Sequence, residues 1–345
     1  MGHPSIITST YFISTHLKLN NNNTRHDRLL YLLSPDSVTV TSERMFDRIS
    51  EFKLPLDLVY ARIVGSCNGL LCFSWNYPHN PHAYLCNPSI RKFQKVPDTA
   101  SSISTTTLSS VVTGLGYNSE TNDYKVVRIS YCWPQLPQAD IYSLSLGSWK
   151  RLPCPLRPGV ILYSIDTDLL PVPFVSGALH WMVYVDENVS KSEEESWQRQ
   201  HFILTFDVNK EKFGSIAPPY ARPNGLSYES LAMFKGKLAL MDGLYYYSLN
   251  IWMMKEYGVS QTWTKLFVVS FDPFTTLFGY SQKGLLIVRN FLSANGELKK
   301  RYDQKCVSID LETLQENDLG IEVILDVVNF MESLVLLDRA DVVAE

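Results

Sequence analysis

The chain has 345 residues, of which 45% are hydrophobic and 19% are charged. This length suits one large β domain or two domains of ordinary size. A net charge of −4 gives no general positive field, and no apolar run reaches the ~18 residues of a membrane span, so we expect neither nucleic acid nor a membrane as a partner.

The cysteines favour a reducing environment. No two of them form a CxxC pair, and four lie in or beside apolar strand-like runs. We therefore predict free buried thiols rather than a zinc site or disulfides. The N-terminus shows no secretory pattern. We therefore expect a cytoplasmic and/or nuclear protein without cofactor or metal. The six cysteines are Cys67, Cys72, Cys86, Cys132, Cys154 and Cys306.

The N-terminal region is predicted to begin with a helix. Apolar positions within residues 11–19 fit a short amphipathic helix, and Asn20–Asn23 reads as a polar linker. The apolar run Leu29–Leu33 then predicts a buried strand, and a second short strand is expected at Val38–Val40.

The stretch Gly65–Pro97 contains two units that recur along the chain. The first is a small turn that opens an apolar strand, as at Asn68-Gly69, where Asn-Gly favours the positive φ of a tight hairpin. The second is an aromatic residue followed three positions later by an aliphatic one, just after a polar turn. The turn unit recurs at 68–73, 176–182, 235–241 and 283–288, and the aromatic unit at Phe93–Val96, Trp149–Leu152, Phe213–Ile216 and Trp263–Leu266.

Both units repeat at about 50–60 residues once residues 114–127 fill the one double gap. Short strands at this period, without a strong helical pattern, are typical of propeller blades. The predicted fold is an all-β, irregular kelch-like β-propeller of about six blades with a short N-terminal helical remnant. Closure should place Leu29–Leu33 or Val38–Val40 in one blade with Ser333–Leu337. The alternative is an open β-sandwich with a second β domain.

Two segments interrupt the period. Thr99–Ser110 is a low-complexity stretch, and Asp186–Gln200 is a charged insertion between two strands. Both are expected to be exposed loops, and loops on one propeller face commonly bind partners.

No catalytic or metal site is predicted. Gly65-Ser66-Cys67-Asn68-Gly69 has the outline of a nucleophile elbow, but a strand follows it where the elbow needs a helix, so Cys67 is expected to be buried and inert. His79, His82 and Cys86 lack a second ligand pair. His180 is expected to be a structural histidine bonded to a backbone group. Asp123, Asp207 and Asp272 are expected to accept backbone N–H bonds in turns.

A series of motifs resembles, in order, the F-box-associated interaction domain of plant F-box proteins, including the F-box/kelch-repeat and S-locus F-box groups. The resemblance covers about residues 25–340 and implies a kelch-like domain. In that family an N-terminal F-box docks on a Skp-type adaptor of a cullin–RING ubiquitin ligase, and the associated domain captures the protein to be ubiquitinated. The motifs are GSCNGLLCF, LCNPSIRKFQKVP, GLGYNSETNDYKVVRI, IYSLSLGSWKRL, FVSGALHWMV, ILTFDVNKEKFGSIAPP and IWMMKEYGVSQTWTKLF.

The sequence departs from the family at its start, where residues 1–24 resemble only the tail of an F-box and its linker. The expected domains are therefore 1–24, the F-box-associated domain 25–340 and a tail 341–345. The expected function is non-catalytic recognition of a target protein for an SCF-type ligase, with the adaptor and cullin as partners only where an F-box precedes the domain. Alternatives are a stand-alone or decoy binding propeller and a propeller enzyme. The candidate binding loops are Trp75–His82, Tyr131–Gln138 and Asp186–Gln200, and their substrate-binding residues are not predicted.

Overall fold

A computed structural model shows a chain that is almost entirely β. The described residues include two short 3-10 helices, Pro88–Ile90 and Ser260–Thr262, and none of their helices is long and apolar enough to cross a membrane. The structure describes residues 10–19, 26–34, 47–55, 58, 61–74, 82–99, 110–131, 136–156, 160–162, 170–185, 200–220, 229–243, 248–270, 275–281, 284–290, 305–319, 326–335, 337 and 342–343.

The strands are mostly five to nine residues long. In chain order they are β1 (Thr10–Leu19), β2 (His26–Ser34), β3 (Asp47–Lys53), β4 (Arg62–Cys67), β5 (Leu70–Ser74), β6 (Ala83–Asn87), β7 (Lys92–Lys95), β8 (Ser110–Asn118), β9 (Asp123–Tyr131), β10 (Gln138–Ser143), β11 (Ser148–Leu152), β12 (Val160–Leu162), β13 (Phe174–Val175), β14 (Ala178–Val185), β15 (Gln200–Asp207), β16 (Lys212–Ile216), β17 (Glu229–Phe234), β18 (Lys237–Asp242), β19 (Ser248–Met254), β20 (Trp263–Ser270), β21 (Thr276–Tyr280), β22 (Leu285–Asn290), β23 (Lys305–Asp310), β24 (Glu316–Asp318), β25 (Asp326–Met331) and β26 (Val342–Val343).

The described strands form six antiparallel sheets, numbered here in the order in which they follow one another around the ring. Sheet 1 has the strand order β25-β1-β2-β3 and sheet 2 the order β4-β5-β6-β7-β26. Sheet 3 is β8-β9-β10-β11. Sheet 4 is β12-β14-β15-β16, with β13 also paired to β14. Sheet 5 is β17-β18-β19-β20 and sheet 6 is β21-β22-β23-β24.

Sheets 2 to 5 bury both faces against their neighbours, and sheets 6 and 1 meet where Asn329 Nδ2 donates to the Tyr280 carbonyl oxygen, which is the packing of a β-propeller. In sheet 2, for example, Leu71 packs with residues of sheet 1, whereas the next residue, Cys72, packs with residues of sheet 3. Further apolar clusters join sheets 3 and 4, sheets 4 and 5, and sheets 5 and 6. Because alternate side chains enter different clusters, no sheet is stable without both neighbours.

The innermost strands approach each other closely because glycines face their neighbours. A Cβ atom added to Gly65 of β4 would lie 2.7 Å from Leu115 Cβ and 3.0 Å from the Leu115 backbone nitrogen in β8. A Cβ atom on Gly279 of β21 would lie 2.6 Å from the Val327 carbonyl oxygen in β25. Only glycine permits these separations without moving a backbone.

Sheet 1 closes the ring by combining the two ends of the chain. β1 pairs on one edge with β2 and on the other with β25, from Thr10↔Met331 to Thr15↔Asp326. The predicted strand Leu29–Leu33 does lie in this sheet, within β2. Its predicted partner Ser333–Leu337 was wrong, because β25 ends at Met331. Val38–Val40 lies outside the described residues.

The predicted N-terminal helix was also wrong, since residues 10–19 form the second strand of sheet 1. A few apolar positions in nine residues fit both a helix and a strand, and hydrogen bonds from two flanking strands decide in favour of the strand. β1, which lies before the expected domain boundary near residue 25, therefore belongs to the same sheet as β2. Likewise, the expected tail contributes β26, which pairs with β7.

Both repeated sequence units have the predicted roles. Each turn unit joins two neighbouring strands of its sheet, and the backbone φ is positive at Gly69, Gly177, Gly236 and Gly284. The aromatic units coincide with the outer strands β7, β11, β16 and β20. Local turn chemistry and hydrophobic spacing therefore define the hairpins correctly.

The contact between Gly65 and Leu115 predicts the effect of a single added methyl group. Gly65→Ala should destabilise the protein by about 1–3 kcal/mol in urea denaturation, because the methyl group meets backbone as well as side chain. Gly214→Ala is the matched control, since its added Cβ would meet only the Thr205 hydroxyl group, at 2.9 Å. Equal effects of the two substitutions would contradict this account of the ring.

The hydrogen bonds of Asn87 attach the C-terminal segment around Ser333–Val335 to sheet 2, and they predict the effect of a substitution. This fully buried side chain donates from Nδ2 to the carbonyl oxygens of Ser333 at 3.0 Å and Val335 at 2.8 Å, while its Oδ1 accepts from Ser89 N–H. Asn87→Asp keeps the oxygen that accepts from Ser89 N–H. It replaces the donating Nδ2 by a second oxygen, which cannot donate to the carbonyl oxygens of Ser333 and Val335. We expect a loss of about 1–3 kcal/mol and faster proteolysis near Ser333. Unchanged proteolysis would show that the segment is held by other contacts.

Candidate functional site

The antiparallel topology gives the ring two different faces. Connections from the first to the second strand and from the third to the fourth strand of each sheet emerge on one side, named here the turn face. Connections from the second to the third strand, and from one sheet to the next, emerge on the other side, named the loop face.

The turn face consists largely of short turns fixed by side-chain acceptors. Asn118 Oδ1 accepts the N–H groups of Glu120 and Thr121, both at 3.0 Å. Asp207 Oδ1 accepts from Lys210 N–H at 2.8 Å, as predicted. Such caps satisfy the backbone donors of the turn and hold one conformation.

Asp123 has a wider role than the prediction gave it. Its Oδ1 accepts the N–H of Ser145 at 2.9 Å, in the next turn of sheet 3 rather than its own, and its Oδ2 lies 2.8 Å from Lys125 Nζ. Burial raises the pKa of Asp123, but hydrogen bonds from Lys125, Ser143 and Ser145 outweigh it and hold the pKa below its usual value. Asp272 lies outside the described residues.

The strand ends that flank the three predicted binding loops all lie on the loop face. Each loop joins the second and third strands of its hairpin series: β5 to β6, β9 to β10, and β14 to β15. Residues 75–81, 132–135 and 186–199 lie outside the described part of the chain, but the strand ends that flank them are described. Topology therefore places these flanking strand ends on one side of the ring, a relation that no local sequence signal contained.

Between sheets 2 and 3, the loop face carries a set of charged and aromatic side chains. His82 Nδ1 lies 2.7 Å from Asp98 Oδ1, and Arg151 Nε donates to Asp140 Oδ1 at 2.5 Å. The Arg128 guanidinium lies over the Trp149 ring, 4.9 Å from its centroid. Sequence analysis missed Arg128 and Asp140, although a charged residue beside the apolar run Val126-Val127 was an available signal for Arg128.

Between sheets 4 and 5, a buried carboxylate anchors the base of the charged insertion. Glu229 of β17 accepts hydrogen bonds from Tyr184 OH at 2.6 Å and Tyr220 OH at 3.0 Å, and His201 Nε2 lies 3.4 Å away. Tyr184 and His201 face each other across β14 and β15, immediately before and after the insertion. Burial and the Glu229 charge raise the pKa of Tyr220, so this tyrosine stays a proton donor.

An apolar segment occupies the centre of the ring. The innermost position of sheet 4 is split between β12 and β13, and the preceding residues Leu170–Pro173 extend toward other sheets. Val172 N–H donates to the Val64 carbonyl of β4 at 2.9 Å, whereas Leu170 packs with the cluster of sheets 5 and 6. At the start of two other inner strands, Arg62 Nε donates to Asp326 Oδ1 at 2.6 Å.

The residues considered for nucleophilic or metal chemistry have structural surroundings. Cys67 is 6% exposed, as predicted, and burial raises the pKa of its thiol to about 12. Cys72, Cys86 and Cys306 are also buried free thiols, Cys154 is a half-buried one, and Cys132 and His79 lie outside the described residues. His82 pairs with Asp98 rather than with Cys86. Within the described ranges, no group of three His, Cys, Asp or Glu side chains could hold a metal ion.

His180 is the predicted structural histidine. It is 1% exposed, its Nδ1 lies 3.2 Å from the Pro173 carbonyl oxygen, and its Nε2 lies 3.0 Å from Tyr257 OH. These partners assign a neutral ring that donates from Nδ1 and accepts at Nε2. Burial lowers the pKa of His180 from 6.5 to about 4.

This pKa shift predicts a loss of stability in acid. Between pH 6.5 and 4 the unfolded chain binds a proton at His180 and the folded chain does not, so the free energy of unfolding should fall by about 3 kcal/mol as pH falls. Urea denaturation at several pH values measures it. His180→Asn should remove this part of the pH dependence, and an unchanged slope in the variant would contradict the assignment.

Comparison with known proteins now places this arrangement in a class. Residues 24–336 match the sequence model of the F-box associated beta propeller domain, and the chain belongs to that family. An F-box/kelch-repeat protein of Arabidopsis thaliana is 28% identical over 209 residues, covering 60% of this chain and 52% of that protein. The F-box protein CPR1 of Arabidopsis thaliana is 27% identical over 279 residues, covering 75% of this chain and 63% of the relative. The chain thus spans about half to two thirds of the length of these two relatives.

Among solved structures, TolB from Acinetobacter baumannii is 11% identical with a TM-score of 0.38, covering 89% of this chain and 68% of TolB. A likeness of this size carries no argument about function.

Proposed function

We propose that the chain is the target-recognition module of an SCF-type ubiquitin ligase and that it contributes binding without catalysis. The observation that carries this proposal is the family match over residues 24–336, because the relatives are named F-box proteins. The six sheets support six blades of an irregular, kelch-like propeller.

The proposed binding surface is the loop face. Its long connections lie outside the regular hairpins, so their sequence can vary without disturbing the clusters that hold the sheets together. Short capped turns make the turn face a rigid support by contrast. The proposed partners are a protein target and, through an F-box, a Skp-type adaptor and cullin.

We also propose that the protein acts in the cytoplasm and/or nucleus. The five described cysteines are free thiols, which supports a reducing compartment.

A pair of fusions tests the proposal. The chain alone and the chain preceded by a functional F-box are expressed in plant cells treated with a proteasome inhibitor, and captured proteins are identified by mass spectrometry. Both forms should capture the same target, because the propeller binds it. Only the F-box form should carry adaptor and cullin and increase ubiquitin on that target.

A matched control separates this function from a stand-alone binding role. The same F-box fused to an unrelated propeller should not modify the target. Capture of the target without a gain of ubiquitin in the F-box form would favour the stand-alone binding propeller. Equal ubiquitination with the unrelated propeller would contradict target recognition by this chain.

A further inference from the structure

The loop face between sheets 2 and 3 contains a buried cation whose hydrogen bonding is incomplete. Arg128 of β9 is 4% exposed, and its buried Nε has no hydrogen-bond partner. Its guanidinium lies against Trp149, whose own Nε1 donates to the Pro97 carbonyl at 2.6 Å and is thereby fixed in place. A charge removed from water without full hydrogen bonding costs free energy.

Two carboxylates that attract Arg128 each use one oxygen for another basic side chain, and the buried Oδ2 of Asp140, like Arg128 Nε, has no hydrogen-bond partner. Asp140, directly across the sheet from Arg128, uses Oδ1 for Arg151, and Asp98 uses Oδ1 for His82. Both act on Arg128 by electrostatic attraction through space. Lys95 Nζ lies 3.9 Å from Asp98 Oδ2. Three cations (Arg128, Arg151 and Lys95) thus lie near two carboxylates (Asp98 and Asp140).

The rim of this region combines charge with apolar surface. The Arg151 side chain is about half exposed, and Leu136, two residues before β10, is 59% exposed. Arginine and tryptophan are among the residues that contribute most to protein interfaces. The predicted loops Trp75–His82 and Tyr131–Gln138 begin and end here.

We propose that this region, named the Arg128 cleft after its central residue, receives an acidic side chain of the target protein. The inference rests on the proposed function and adds the chemistry that the target must present. A carboxylate would accept hydrogen bonds from the arginines and offset the surplus positive charge. A doubly charged phosphate fits less well, because Asp98 and Asp140 would repel its second charge.

Peptide selection tests the proposal without a known target. A random dodecapeptide library on phage is selected against the intact chain, and a selected peptide is then labelled for anisotropy titration. Selected sequences should be enriched in Asp or Glu. Arg128→Met should weaken peptide binding by about tenfold or more, the range expected for a lost charge-assisted hydrogen bond.

Thermal denaturation distinguishes a binding role from a structural one. Asp140 keeps its hydrogen bond from Arg151 in the Arg128→Met variant, so we expect the melting temperature to stay close to that of the unmodified chain. Arg128→Lys, which keeps the charge but loses the planar fork, should fold normally and bind with intermediate affinity. Lys212→Met, on the exposed turn-face end of β16, is the control and should change neither property.

Three results would overturn the proposal: no enrichment of acidic residues, equal peptide binding by Arg128→Met, or a lower melting temperature of that variant with unchanged binding. The last result would assign Arg128 to packing against Trp149, with at most an ordered water at its Nε. Failure here is separable from failure of the proposed function. If the F-box fusion ubiquitinates its target with Arg128→Met as efficiently as with arginine, only the cleft assignment is wrong.

Discussion

Antiparallel hydrogen bonds between β1 and β25 join the first described strand of the chain to its last long one. The other sheets depend on this contact, because each buries its two faces only between neighbours. The closing strands lie almost a whole chain apart, so their pairing carries a large loop-closure entropy. Asn87 and the β26–β7 pair add contacts just after β25 and hold the C-terminal segment against sheet 2. The C-terminal part of the chain therefore pairs with two adjacent sheets, with sheet 1 through β25 and with sheet 2 through β26.

Sequence reasoning was most successful where the signal was local. Glycines that follow a polar or charged residue and the aromatic units defined the hairpins and outer strands, since turn conformation and strand alternation are encoded in a few residues. It failed for residues 10–19, where the deciding hydrogen bonds come from Asp326–Met331. It also did not anticipate the split inner strand of sheet 4, because the apolar stretch Leu170–Phe174 is stabilised by contacts with other sheets.

The candidate site follows the same division. The three loops could be named from composition, but their presence on one face emerged only from strand order. The Arg128 cleft joins residues from β9, β10 and β11 with Asp98 of the preceding sheet, so no window of the sequence contains it. Arg128, one of three charged residues in the buried strand Asp123–Tyr131, was the one local clue, and its meaning depended on Trp149.

Stability and recognition thus occupy different parts of the ring. Glycine contacts, apolar clusters and capped turns determine the architecture, whereas the proposed recognition uses the loop face, with its connections and the Arg128 cleft. The chain also places its buried carboxylates with partners: Asp326 with Arg62, and Glu229 with two tyrosines. These pairs fix strands and the base of the charged insertion, which is consistent with a binding scaffold.

Two exposed leucines offer the most direct test of recognition by the loop face. Leu136 lies on the loop face and Leu314 in a turn-face connection, with nearly equal exposures of 59% and 58%. A photo-crosslinking amino acid is placed at each position in turn, and adducts with the ubiquitinated target are quantified in cells. The account predicts adducts from position 136 and none above background from position 314. Adducts from position 314 alone would contradict it.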